Sequence, residues 1–293
     1  MAKIQIAVGI TAHNEEANIG KLLDLMLAQE LQTVAITEIW VVASGCTDGT
    51  EAIVRDYEGR DGRIRLLAQE KREGKASAIN LFMQEAGESV LVLSSADLQP
   101  ELDVVEKLGR PFANPEMGIT NCRPEPVNDK STFMGFTAHL LWDLHHMINE
   151  SGGFKAGEMI AFRKAFTRIP QHTAVDEASI EPIMRGQGYK VQYVPDAIVY
   201  NKGPDTVADF LRQRRRIYAG HLEVRDSLGY AVSTMSGTTI VKALLRRLPR
   251  PFTWTMAVVG LEVYGRYLGW RDYKNKRNHT VWEIATTTKE LTR

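Results

Sequence analysis

Three short polar clusters each follow an apolar run in the first third of the chain: Thr11-Ala12-His13-Asn14-Glu15, Ala43-Ser44-Gly45-Cys46-Thr47-Asp48 and Ser94-Ser95-Ala96-Asp97. Asp97 has the hard oxygen chemistry that divalent cations such as Mg2+ prefer. Read locally, it is an Asx-turn or capping residue ahead of Pro100. Lys75, after Gly74, can contact a phosphate or a base, or stand solvated at a helix start. Asp176 and Glu177 are adjacent carboxylates, which neighbours can separate in pKa so that one serves as a general base. Their local reading is an acid pair favoured at a helix N-terminus. Gln213-Arg214-Arg215-Arg216-Ile217 offers guanidinium forks shaped for phosphate oxygens, or a solvated basic helix face.

The elements that must position these residues alternate in type. Strands are expected at Ile4–Ile10, Ile36–Val42, Ile64–Ala68 and Val90–Leu93. Helices are expected at Asn18–Leu27, Thr50–Tyr57 and Ala76–Ala86. Short apolar strands alternating with helices predict a doubly wound, mostly parallel α/β sheet. Ligands of such sheets bind beyond the carboxyl ends of the strands, where the three polar clusters fall. After Pro100 the alternation becomes irregular. Helices are expected at Thr137–Ile148, Ile180–Gly186 and Thr206–Val224, and strand-like pieces at Met159–Phe162, Val191–Val194 and Ala197–Tyr200. His145 and His146 would point about 100° apart on their helix, too far to share one ion, and are expected to pack or to line one side of the site.

Two common nucleotide-binding signatures are absent. No G-x-G-x-x-G follows the first strand, and around Gly74-Lys75 the Ser/Thr and leading glycine of a P-loop are replaced by Ala76 and Gln69. What remains resembles family 2 glycosyltransferases over residues 4–217, through short motifs in order. Thr11-Ala12-His13-Asn14-Glu15 resembles the opening element ending in N-E. Val41–Thr50 resembles V-D-D-G-S-T-D-G-T, Gly74–Asn80 resembles G-K-x-x-A-x-N, and Ser95–Pro100 resembles D-A-D-x-x-P. Asp176-Glu177 resembles the T-E-D element, and Gln213–Ile217 resembles Q-x-x-R-W.

The resemblance implies a GT-A fold and transfer of a sugar from a nucleotide diphosphate. It assigns donor binding to Thr11, His13, Glu15, Ser44, Asp48, Lys75, Ser95, Asp97, Gln213, Arg215 and Arg216, with Mg2+ or Mn2+ held at Asp97. Glu177 aligns with the family's base, with Asp176 as its competitor. Ser95 replaces the first aspartate of the metal element, leaving one protein carboxylate there. Ala43 and Ser44 replace acids near the nucleotide, and Ile217 replaces a tryptophan that accompanies acceptor binding in polymerising relatives. Two further readings stay open at this point: a nucleotidyltransferase on a related sheet, and a catalytically weakened sugar-nucleotide-binding protein.

Composition is that of a globular protein: 44% hydrophobic, 25% charged, formal net charge zero over 293 residues. The charge is unevenly spread. From Asn201 onward there are 17 Lys/Arg against 8 Asp/Glu. A basic last third suits phosphates or an anionic membrane surface, and equally a solvated face. The Ile240–Leu248 segment, which interleaves apolar and basic residues, and the Phe252–Trp270 stretch, broken by Glu262 and Arg266, read as helices packing on the body or lying on a membrane. The expected organisation is a nucleotide-sugar-binding half (1–120), an acceptor-binding and catalytic half (121–230) and a basic helical C-terminal extension (231–293). Two cysteines without a ligand pattern, and a first strand directly after Met1-Ala2-Lys3, lead to the expectation of a cytoplasmic protein at the inner face of a membrane. The expected partners are a nucleotide-sugar donor and a polyprenyl-phosphate or other lipid acceptor, with no nucleic acid.

Overall fold

A computed structural model describes residues 2–170, 176–230, 240, 244 and 251–277, with the side chains of Asp176, Glu177 and Leu228 outside the description. Eight strands form one sheet in the order β3-β2-β1-β4-β7-β6-β8-β5. The first four are β1 (Ile4–Ala12), β2 (Val34–Ser44), β3 (Ile64–Gln69) and β4 (Val90–Ser95), and all pair in parallel. They are joined by helices α1 (Ile19–Leu27), α2 (Thr50–Arg60) and α3 (Lys75–Glu85), as the alternation predicts.

Burial explains the two-sided wrapping. Along β1 the side chains of Ile6, Val8 and Ile10 join one apolar cluster with Leu22, Leu23 and Val54, while Ala7 joins the opposite cluster with Phe82, Leu91 and Leu93. Successive strand residues point to opposite faces, so a strand covered on both sides must be apolar throughout. α1 buries Ile19, Leu22, Leu23 and Met26, an i, i+3, i+4, i+7 stripe. α3 lies so close to β1 that a Cβ on Gly9 would stand 2.3 Å from the Phe82 ring. That contact fixes the start of α3, and so Lys75, beside the end of the sheet.

The second half departs from simple alternation. β5 (Gln99–Pro100) pairs with the far edge, and α4 (Val104–Gly109) leads to β6 (Met117–Pro126). After α5 (Phe133–Glu150), β7 (Ile160–Arg163) runs antiparallel between β4 and β6. A short 3-10 turn, Asp176–Ser179, opens α6 (Ile180–Gly186), and Pro182 sits in its first turn, where its missing N–H costs nothing. The pieces at Val191–Val194 and Ala197–Tyr200 are one strand, β8 (Lys190–Asn201), whose ladder with β6 shifts register between Asn121 and Arg123. Pro195 lies at that irregularity, a place where a strand tolerates proline. The boundary expected at residue 120 falls inside β6, so both halves share the sheet.

Two long helices complete the described chain. α7 (Val207–Leu228) is capped by Thr206, whose hydroxyl accepts from the Asp209 amide at 3.1 Å. α8 (Phe252–Lys274) packs along it through glycines: a Cβ on Gly265 would meet Arg214 at 2.8 Å, and one on Gly269 the Arg215 carbonyl at 2.5 Å. No described helix is long and apolar enough to cross a membrane. The Ile240–Leu248 segment lies outside the described residues apart from Ile240 and Leu244, and Leu244 packs near Leu140, Leu144 and Val258.

Candidate active site

The ends of β1, β2 and β4 meet, as the position of their polar clusters predicts. Thr11 is level with Ser95 across the β1–β4 pair, and the Ala96 amide donates to the Thr11 carbonyl at 3.0 Å. His13 donates through Nδ1 to the Ser44 carbonyl at 2.7 Å. The Asn14 carboxamide accepts from the Thr47 amide at 2.8 Å, and the backbone there takes φ 54°, a left-handed conformation that asparagine tolerates well. The Glu15 amide donates to Thr50 Oγ1 at 2.7 Å, while its buried carboxylate accepts from Asn18 at 2.9 Å. These links lock the loops after β1 and β2 into one wall.

Asp48 works within that wall. Its carboxylate accepts from the Thr50 hydroxyl at 2.6 Å, the Thr50 amide at 3.0 Å and the Glu16 amide at 3.1 Å. Burial pushes its carboxyl up, but these hydrogen bonds outweigh it and hold the group below the usual carboxylate range. Its local duty is therefore to start α2. The Ser44 hydroxyl accepts from the Glu73 amide at 3.4 Å, which ties in the loop before α3. Gly45 makes this closeness feasible: it has φ +60°, and a Cβ there would lie 2.5 Å from the Arg72 amide nitrogen.

At the centre of the edge, Lys75 Nζ donates to Ser95 Oγ at 2.9 Å. Asp97 is half-buried two residues beyond. Among the described residues no group of three or more His, Cys, Asp or Glu could hold a metal. One carboxylate nevertheless fits Mg2+ or Mn2+, since such ions are often bound by one or two carboxylates together with substrate phosphates and waters.

The acid pair is approached from the opposite face. Asn80, from the motif that starts at Gly74, grips the chain at Ile169 twice, donating to its carbonyl at 3.0 Å and accepting from its amide at 2.8 Å. Ile169 and Ile180 lie in the cluster of Phe82, Leu93 and Ile160. The segment carrying Asp176 and Glu177 is thus anchored at both ends on the α3 side of the sheet, and its 3-10 turn packs beside α7. The Asp176 and Glu177 side chains lie outside the described residues.

The arginine element divides by helical geometry. Arg215 pairs with the buried carboxylate of Asp272, and Arg214 faces Glu262 at 3.8 Å, so both turn toward α8. Gln213 and Arg216, an i, i+3 pair, share another side of α7 and are half-buried there. Arg215, expected among the donor-binding residues, has its guanidinium paired with Asp272 of α8.

The edge continues into residues that motif reading missed. β7 begins with Ile160 opposite Leu93, and residues 155–159 lead into it alongside Asn121 and Cys122 of β6. Asn121 shapes this stretch, donating to the Lys155 carbonyl at 2.6 Å and accepting from the Gly157 amide at 2.7 Å. Glu158 accepts from Asn201 at 2.9 Å. The only advance signal was two charged residues just before an apolar strand. His145 donates through Nε2 to the Lys155 carbonyl at 3.1 Å, and burial pushes its ring down to about 3. His146 bonds the Tyr193 hydroxyl at 2.8 Å, and both histidine rings pack against Tyr193.

Known proteins share the family pattern and the fold of this chain. The sequence pattern of glycosyl transferase family 2 matches residues 7–181, and that of glycosyl transferase family group 2 matches residues 183–272. The chain is 27% identical over 237 residues to an N-acetylglucosaminyltransferase of Rhizobium meliloti, covering 72% of this chain and 51% of that protein. It is 22% identical over 225 residues to a beta-monoglucosyldiacylglycerol synthase of Synechocystis, covering 72% and 47%. The chain therefore spans about half the length of these relatives. Among solved structures it resembles a mannosyltransferase from Pyrobaculum calidifontis in complex with GDP-Man and Mn2+, with TM-score 0.63 and 20% identity over 99% of this chain and 88% of that one. It also resembles the glucosyl-3-phosphoglycerate synthase of Mycobacterium tuberculosis in complex with Mn2+ and UDP, with TM-score 0.53 and 16% identity over 75% and 80%. The fold is thus GT-A, and the chain belongs to glycosyl transferase family 2.

Proposed function

We propose that this protein transfers a sugar from a nucleotide diphosphate to a hydroxyl or phosphate acceptor, with inversion at the anomeric carbon. The observation that carries the reading is the convergence of Thr11, the Lys75–Ser95 pair and Asp97 on one carboxyl edge, with Ile169, upstream of Glu177, held to α3 by Asn80. With a hydroxyl acceptor, Glu177 takes its proton as that oxygen attacks the anomeric carbon, and Asp176 is the competing base; a phosphate acceptor attacks through an oxygen that is already anionic. The sugar–phosphate bond breaks, and its electron pair leaves with the diphosphate. Lys75, Gln213 and Arg216 offer hydrogen-bond donors to that diphosphate, and His13, Glu15, Ser44 and Asp48 build the wall for the nucleoside. A Mg2+ or Mn2+ ion at Asp97 would neutralise charge on the leaving group.

The acceptor in this proposal is a lipid, such as a polyprenyl phosphate, met at the inner face of a membrane by a cytoplasmic enzyme. α8 supports this: Phe252, Met256, Val263, Tyr267 and Trp270 are 59%, 53%, 61%, 52% and 46% exposed. Exposed Arg271, Lys274, Lys276 and Arg277 follow them. An apolar, aromatic stripe ending in cations suits the interface of an anionic bilayer. One relative is named for a glucosylated diacylglycerol.

Incubating the protein with labelled GDP-mannose or UDP-glucose, Mn2+ and membrane lipids tests both parts. Label is expected in the organic phase. Transfer to soluble acceptors alone contradicts the lipid acceptor, and consumption of no nucleotide sugar contradicts the enzyme.

A further inference from the structure

The turn that carries Asp176 and Glu177 opens into α6, a helix of only seven residues. So short a helix has little stability of its own, and its placement depends on what it packs against. One side is held by Ile180 and Met184, both fully buried in the cluster of Phe82 and Phe162. Glu181, in the first turn of α6, is 1% exposed. A carboxylate so deeply buried is costly unless it is paired and hydrogen-bonded.

Two groups meet that need, and they differ in kind. Arg185, one turn along α6, donates through Nε to Glu181 Oε1 at 2.9 Å. Its side chain is 42% exposed and belongs to the same helix, so it pairs Glu181 without tying α6 to another element. The second partner comes from 49 residues away: the Tyr230 hydroxyl donates to the same oxygen. Tyr230 stands just beyond α7, where Gly229 at φ 64° turns the chain in a left-handed cap. Its half-buried side chain joins the end of α7 to the first turn of α6. Burial pushes the Glu181 carboxyl up, and the bonds from Tyr230 and Arg185 oppose that push. α7 also packs beside the Asp176–Ser179 turn itself. One long helix therefore borders the acid turn and, through Tyr230, grips the short helix that the turn opens into.

We propose that Tyr230 and Glu181 form a clamp that holds the Asp176–Ser179 turn against α7 and so positions Glu177. The role in transfer rests on the glycosyl-transfer reading, whereas the clamp itself does not. Both are positioning residues, and neither belongs to a motif read in the sequence. A general base works only within hydrogen-bond reach of the proton it takes, and a misplacement of about 1 Å can cost about 100-fold in rate. Loosening the clamp should therefore slow the reaction without weakening the donor.

The test pairs kinetics with amide hydrogen exchange on the full chain. Tyr230→Phe removes only the hydroxyl, and Glu181→Met removes the carboxylate with little change in length. Each is expected to lower kcat about tenfold for transfer from labelled GDP-mannose or UDP-glucose with Mn2+ to membrane lipids, with donor affinity unchanged within about twofold. The double variant should be no slower than Glu181→Met alone, because the two residues act as one pair. Glu181→Gln, whose amide oxygen still accepts from Tyr230, should keep kcat within about threefold of the wild type. In Tyr230→Phe the amides of residues 176–186 should exchange faster while β1 and β4 stay protected, as a local opening requires. Wild-type kcat in Tyr230→Phe overturns the proposal, and so does a loss of protection spread evenly over the sheet, which is an effect on stability alone. A wild type that turns over no nucleotide sugar contradicts the transfer reading, and exchange then decides the clamp: faster exchange at 176–186 in Tyr230→Phe supports it, and unchanged exchange overturns it.

Discussion

Lys75 Nζ donates to Ser95 Oγ at 2.9 Å, which puts an ammonium over the position where family 2 motifs carry an aspartate. A cation supplied by the protein thus stands beside Asp97. In the proposed reaction the serine and the lysine contact are two parts of one arrangement, in which Lys75 shares the work of meeting a diphosphate.

Lys75→Met should weaken binding of the donor's nucleoside diphosphate about tenfold while changing affinity for the bare nucleoside little, because a charge-assisted contact to phosphate is lost. Titration calorimetry with both ligands measures the difference. Equal losses for the two would place Lys75 at the base instead.

Arg215 is expected to act on stability more than on donor affinity. Its partner Asp272 is 3% exposed, so breaking the pair takes a guanidinium away from a buried carboxylate. Arg215→Gln should cost on the order of 3 kcal/mol in urea unfolding and leave nucleotide affinity within about twofold. A stable variant that cannot bind nucleotide would return Arg215 to the donor site.

Acid should destabilise the fold before the carboxylates titrate. Folded His145 titrates at about 3 and His221 well below its ordinary value, both chiefly through burial. An unfolded histidine titrates near about 6.5, so below that value the unfolded chain binds more protons and unfolding is favoured as pH falls. Each histidine contributes a slope of about 1.4 kcal/mol per pH unit. Urea unfolding between pH 7 and about 5 should show this fall, and His145→Gln should flatten it.

The aromatic stripe of α8 should bind vesicles. Sedimentation with vesicles containing phosphatidylglycerol is expected to pull down the wild type and to retain a Tyr267→Ser, Trp270→Ser double variant about tenfold less well. Equal recovery of the two would remove α8 as the contact.

The first half of the fold was legible because a strand buried on both faces must be apolar throughout, as Ile6–Ile10 and Val90–Leu93 are. β6 was not legible: its later residues, Asn121-Cys122-Arg123-Pro124-Glu125-Pro126, mix charges and prolines and carry no period. The loop wall followed from residue type, since Asn14, Asp48 and Gly45 each suit a particular turn. Arg215 could not be sorted from Arg216 in sequence, because only the position of α8 decides which guanidinium meets Asp272. Glu181 and Tyr230 are 49 residues apart, and no local pattern links them.

The most direct test compares turnover and donor affinity in Glu177→Gln. The account predicts that this variant binds the nucleotide sugar with Mn2+ as the wild type does, while transfer falls about 100-fold or more, the loss expected when a general base is removed. Transfer at the wild-type rate by a correctly folded Glu177→Gln would contradict it.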